Sequence, residues 1–129
     1  MRYLLDTHAL LWALTEPDRL GDRANEVIAV QSSNLVVSAA TAWEVATKRR
    51  LGKLPKADAL VATYSRHLDR LGVERLEVTE DHALLAGSLE WTHRDPFDRM
   101  LAAQAMIESM TLVTRDRAFS EVVGVKTLW

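Results

Sequence analysis

Two carboxylates stand where apolar strands give out. Arg2-Tyr3-Leu4-Leu5 reads as a short buried strand ending at Asp6. Met110-Thr111-Leu112-Val113-Thr114 reads as another, which Arg115-Asp116-Arg117 breaks with three consecutive charges. Each Asp has an ordinary use, because its side chain can accept hydrogen bonds from the first free amides of a following helix. Asp95-Pro96-Phe97-Asp98 adds two acids at a helix start, with Pro96 in the first-turn position and Asp95 in the cap position. Glu44 lies inside a helical stretch beside Trp43. Taken singly, a helical Glu is a solvated surface residue and Asp98 complements the helix dipole. Brought together, Asp6, Glu44, Asp98 and Asp116 would repel one another and acquire raised pKa values unless a cation compensates them. Mg²⁺ or Mn²⁺ suits such an all-oxygen set, keeps several waters and leaves positions for phosphate oxygens. These ions also acidify water, and a pair of them steadies the attacking and leaving oxygens of an in-line displacement. Phosphodiester hydrolysis is the chemistry this set can do.

The elements that must position these acids alternate from end to end. Ala9 to Leu14 continues the first strand as a helix, and Glu16-Pro17-Asp18 forces a turn. Gly21-Asp22 opens a helix to about Val30, followed by a strand at Leu35–Ser38 and a helix from Ala39 to Leu51 that Gly52 stops. One helix is predicted from Ala57 to Leu71, stopped by Gly72, then a half-buried strand at Val73–Val78. Thr79-Glu80-Asp81 caps a helix to about Trp91, and Pro96 to about Ser109 is apolar on nearly every side, as a central buried helix would be. A short helix after Asp116 and a last strand at Val125–Leu128 complete the chain. This alternation predicts an α/β fold: a three-layer α/β/α sandwich around a central parallel sheet. In such a sheet, residues just past the carboxyl ends of the strands gather along one edge, so Asp6 and Asp116 are expected side by side. In the third helix the expected core stripe is Ala39, Ala42, Trp43 and Ala46, which puts Glu44 at its margin, facing cleft or water.

Size and composition narrow the classes. A chain of 129 residues buries roughly two-thirds of its unfolded surface, enough for one domain over residues 1–129. With 48% hydrophobic and 26% charged residues, disordered and fibrous classes drop out. No apolar run approaches the roughly 18 residues of a membrane span, and the first residues lack a signal-peptide pattern, so a cytoplasmic protein is expected. The absence of cysteine excludes disulfides, thiolate nucleophiles and sulfur-based zinc sites. A net charge of −2 supplies no global basic field, so nucleic acid would need a local patch or metal-neutralised acids.

"LLDTHALLW", "SAATAWEVATKRRLGKL", "HRDPFDRMLAAQA" and "LVTRDRAF", in this order over essentially the whole chain, resemble the PIN-domain ribonucleases, in particular VapC-type toxins of toxin–antitoxin pairs. The resemblance implies a divalent-metal site of four acids, carried here by Asp6, Glu44, Asp98 and Asp116. It assigns Thr114 the hydroxyl position that accompanies the last acid, and leaves Asp95 as a supporting group or a cap. Some members carry a further acid where this sequence has Arg117, which puts a fully bound second ion in doubt. The implied activity is Mg²⁺- or Mn²⁺-dependent cleavage of single-stranded or loop RNA. The implied partners are a VapB-like antitoxin seated across the acidic cleft and a second copy of the chain in a homodimer.

Lys48-Arg49-Arg50, Lys53 and Lys56 follow Glu44 closely and either grip phosphates or form a solvated helix face. His8, His67, His82 and His93 show no i, i+4 metal pair and read as surface or cap residues. Trp12, Trp43 and Trp91 fit apolar helix faces as core or subunit-contact residues, and Trp129 packs on its neighbours. Two other classes remain. One is a receiver-like signalling domain, which would need adjacent acids after its first strand and here finds Asp6-Thr7. The other is a non-catalytic module whose acidic pocket holds a basic partner.

Overall fold

The computed structural model describes residues 1–30, 34–54 and 57–129. Lys56, part of the basic stretch read from the sequence, lies outside them. Five strands, β1 (Arg2–Leu5), β2 (Asn34–Ser38), β3 (Glu74–Leu76), β4 (Thr111–Val113) and β5 (Lys126–Leu128), form one sheet in the order β3-β2-β1-β4-β5. Every neighbouring pair is parallel. The helices are α1 (Thr7–Thr15), α2 (Asp22–Ala29), α3 (Ala39–Arg50), α4 (Ala57–Ala62), α5 (Tyr64–Leu71), α6 (Glu80–Ser88) and α7 (Pro96–Ile107), with 3₁₀ turns at Pro17–Arg19 and Arg117–Glu121.

Consecutive strand residues point to opposite faces, and each face has its own core. Leu5, Val37 and Val113 pack with Leu10, Ala24 and Leu68 of α1, α2 and α5, whereas Leu4, Val36 and Leu112 pack with Leu101, Ala102 and Ala105 of α7 and with Phe119. This is the α/β/α sandwich expected from the alternation. The strand order is not the 2-1-3-4-5 of receiver-type domains. It reverses between β1 and β4, and ligands of open parallel sheets bind outside the carboxyl ends of the strands at such a reversal. No described helix is long and apolar enough to cross a membrane.

Three boundaries differ from the sequence reading, each for a local reason. The helix predicted over 57–71 is two helices broken at Thr63 (φ −122°, ψ 25°), whose hydroxyl donates to the Ala59 carbonyl, a back-bond that bends helices. The helix expected to reach Trp91 ends at Ser88. The carbonyls of Ala86, Leu89, Trp91 and His93 are taken by the Arg99 guanidinium, at 2.6–3.0 Å, instead of by a further helical turn. The strand expected over 73–78 keeps only Glu74–Leu76, because only these residues find ladder partners on β2. The stops at Gly52 (φ +72°) and Gly72 (φ +71°) occur as expected, both in the left-handed conformation that glycine adopts without penalty.

Candidate active site

Asp6 leaves β1 and caps α1. Its Oδ1 accepts from the Ala9 amide at 2.7 Å and its Oδ2 from the Thr114 hydroxyl at 2.5 Å. Thr114 immediately follows β4, and its Oγ1 accepts in turn from the Asp116 amide at 3.0 Å. One hydroxyl therefore links the Asp6 carboxylate to the Asp116 backbone across the point where the strand order reverses. Asp116 itself is exposed and caps the 3₁₀ turn through the Ala118 amide at 2.9 Å. The capping use and the cleft position coexist in both residues.

Glu44 faces the cleft and is 3% exposed. The buried stripe of α3 is Ala40, Thr41, Glu44 and Val45, not the expected Ala39, Ala42, Trp43 and Ala46. Trp43 is 61% exposed and stacks edge-on against Phe97, with centroids 4.6 Å apart. This satisfies the indole at the surface and turns the neighbouring Glu44 inward. The Thr7 hydroxyl donates to Glu44 Oε1 at 2.5 Å, tying α1 to α3, and Lys48 forms an ion pair with Oε2 from the next turn. Thr7 was not singled out by sequence, although it sits beside Asp6 in "LLDTHALLW".

Asp95 is the cap of α7, its Oδ1 accepting from the amides of Phe97 and Asp98 at 2.9 and 3.0 Å. That leaves Asp98 free to point elsewhere. Its Oδ2 lies 2.6 Å from Nε2 of His93. His93, expected as a surface or cap residue, is instead part of the site: donor atoms of His93, Asp98 and Asp116 all lie within 4.8 Å of one another. No periodicity marks it, because it sits in the irregular segment that Arg99 holds. His82 is buried and completes the capping box of α6, as a cap reading requires.

Asp6, Glu44, Asp95, Asp98 and Asp116 line one pocket of about 70 Å³ together with Thr7, His8 and Lys48. The structure thus brings together all four acids picked out by the sequence. Burial raises the pKa of Asp6, against the opposing hydrogen bonds from Thr114 and Ala9 and the charge of His8, and nearby Glu44 raises it further. Burial likewise pushes Asp98 up to about 6, opposed by the hydrogen bond to His93 and reinforced by Asp95 and Glu44. The His93 imidazolium is favoured first by its hydrogen bond to Asp98 and then by the charges of Asp98, Asp95 and Asp116. Lys48 and the histidines do not balance five carboxylates. A donor set made mostly of carboxylate oxygens, with the His93 imidazole beside it and surplus negative charge, in a space large enough for an ion and its water, fits Mg²⁺ or Mn²⁺.

Of the basic stretch that either grips phosphates or forms a solvated helix face, Lys48 is turned into the pocket and Arg49 is paired with Asp58 at 2.5 Å, while Arg50 and Lys53 are exposed.

An α/β/α sandwich with a carboxylate-lined pocket at the reversal of a parallel sheet is the class that fold and site define. The chain belongs to the PIN-domain family, whose model matches residues 3–125 and whose members are nucleases. No curated protein matches the sequence. Among solved structures, a chain of the VapBC2 complex from Rickettsia felis bound to a promoter DNA fragment superimposes with a TM-score of 0.74 at 18% identity, covering 99% of this chain and 98% of that one. A chain of DNA-bound VapBC from Salmonella typhimurium gives 0.72 at 18% identity, over 99% and 97%. VapBC-1 from nontypeable Haemophilus influenzae gives 0.61 at 18% identity, over 99% and 97%. At such identities the likeness is one of fold.

Proposed function

We propose that this protein is a VapC-type toxin, a Mg²⁺- or Mn²⁺-dependent endoribonuclease silenced by a VapB-like antitoxin. The observation that carries the reading is the convergence of Asp6, Glu44, Asp98 and Asp116 on one pocket at the sheet reversal. It is supported by membership of the nuclease family and by the VapBC complexes among the similar folds. The four acids would hold the ion, which when bound supplies positive charge toward the phosphodiester and an activated water.

The rest of the chemistry falls to the chain's own groups. Thr114 and the Ala9 amide fix both oxygens of Asp6, and Thr7 and Lys48 fix both oxygens of Glu44, so these ligands are oriented before any ion arrives. His93 holds Asp98 and stores a proton beside it. Lys48 partly neutralises Glu44 and lowers the repulsion that an approaching phosphate meets. The antitoxin reading follows from the same surplus of acids, which a basic side chain can compensate in place of the ion. The exposed Trp43 edge is the patch we assign to a homodimer, and light scattering after gel filtration checks it.

Asp98→Asn is the decisive variant, since it keeps size and the contact with His93 while removing a charge. With circular dichroism unchanged, it is expected to abolish Mg²⁺- or Mn²⁺-dependent cleavage of single-stranded RNA and to relieve growth inhibition. Cleavage and toxicity that survive intact would overturn the catalytic reading and leave a module that only binds a basic partner.

A further inference from the structure

Beside the acid pocket, and sharing Asp6, His8 and Asp116 with it, lies an open groove of about 1090 Å³. One wall is aromatic. His8 and Trp12 lie 5.5 Å apart between centroids, and Trp12 and Trp129 meet edge-on at 5.8 Å. Trp12, expected in the core or at a subunit contact, is only half-buried and faces this groove. Trp129 is held by its seat on the start of α2: a Cβ at Gly21 would come within 2.5 Å of its indole and 2.7 Å of its backbone.

The remaining wall is cationic. Arg23, Arg115 and Arg117 line the groove and form no ion pair among the described residues. Arg115 and Arg117 are exposed, and the Arg115 guanidinium lies 5.8 Å from the Trp12 ring. Unpaired guanidinium groups beside half-buried indole rings, with the Arg19 guanidinium also 4.8 Å from the Trp12 ring, suit a strand whose phosphates and base faces are both accessible. A duplex hides its base faces, and an acidic peptide would leave the rings unused. The groove is also continuous with the acids, so a strand lying in it is led to them.

We propose that this groove is the track for the single-stranded RNA flanking the scissile phosphate, with Arg115, Arg117 and Arg23 on phosphates and Trp12 and Trp129 as base-stacking surfaces. The proposal rests on the nuclease reading above and extends it to named binding residues, displacing the Lys48–Lys53 stretch as the phosphate grip.

The test uses fluorescence anisotropy of a labelled 12-nucleotide oligouridine against the Asp98→Asn protein in MgCl₂, over a KCl series. Adding Arg115→Gln and Arg117→Gln is expected to weaken binding about tenfold or more. It should also make the slope of log K against log salt shallower by about 1.4, at roughly 0.7 for each lost phosphate contact on a single strand. Trp12→Ala is expected to cost about tenfold and Trp12→Phe much less, since a phenyl ring still stacks. With Asp98 restored, the double arginine variant should raise KM for RNA cleavage and change kcat little. Unchanged affinity and salt slope in the arginine variants would overturn the assignment while leaving the nuclease reading intact. Weakened binding with no cleavage by the wild type would instead remove the nuclease reading and keep the groove. A 12-residue oligoglutamate that competes as well as the oligouridine, with the same loss in the arginine variants, would make the groove a protein-docking surface and overturn the proposal.

Discussion

The pocket and the groove meet at Asp6, His8 and Asp116, yet they are built on opposite plans. In the pocket, Asp6, Glu44 and Asp98 are already engaged by Thr114, Thr7, Lys48 or His93, and much of their area is withdrawn from water. In the groove, Arg115 and Arg117 are exposed and unpaired among the described residues, and the aromatic wall is only partly covered. The difference separates two demands. Chemistry at one phosphate needs groups held in place before the substrate arrives, and grip along a strand needs charge and ring faces left open.

Substitutions that strike one region and spare the other sharpen this division. The largest effect is expected from Glu44→Gln, a pocket residue that the groove does not share, which should lower RNA cleavage by about 10²–10³-fold while oligouridine binding in the groove persists, because a charge-stabilising group is lost and no guanidinium is touched. Equal loss of binding and cleavage would erase the distinction. Thr114→Val removes the hydroxyl that donates to Asp6 and accepts from the Asp116 amide, leaving buried partners unmade. A loss of about 1–3 kcal/mol is expected in urea unfolding. Asp95→Ala should cost about 1 kcal/mol through the lost α7 cap and leave cleavage readily measurable, as befits a cap and not an ion ligand.

The smallest expected effect is a pH dependence confined to the pocket. Asp98 titrates at about 6 in the folded protein against an ordinary 3.8, and Asp6 is raised as well, so the fold favours their protonated forms. The Asp98 contribution is fully present below about pH 4 and is lost as pH rises through 6, and that of Asp6 falls in the same direction. His93, also raised, acts in the same direction, its share disappearing as pH passes above its ordinary 6.5. In EDTA the protein should therefore melt a few degrees higher at pH 5 than at pH 8. Asp98→Asn should flatten that difference, and MnCl₂ should raise the pH 8 value more than the pH 5 value. A melting temperature that climbs with pH in EDTA would contradict the assigned shifts.

What could be read from sequence follows from how each residue is positioned. Asp6 and Asp116 were legible because parallel alternation alone places the ends of β1 and β4 on one edge. Glu44 was only half legible. A tryptophan beside it suggested an inward Trp43, whereas the Phe97 ring offers that indole a partner at the surface, through a contact between elements more than fifty positions apart. His93 carried no periodic signal, since its placement depends on carbonyl bonds to Arg99. The groove escaped notice because its wall joins Trp12 to Trp129 and Arg23 to Arg115, pairs that only the folded sheet brings together.

Arg99 gathers the carbonyls of Ala86, Leu89, Trp91 and His93 onto a single guanidinium anchored in α7. The rim of the pocket is therefore fastened to a core helix and has no hinge of its own. It should keep its course for as long as α7 stays in place, and it should come apart only when that helix does. A lysine there, with three protons on a single point, could not span the same four oxygens.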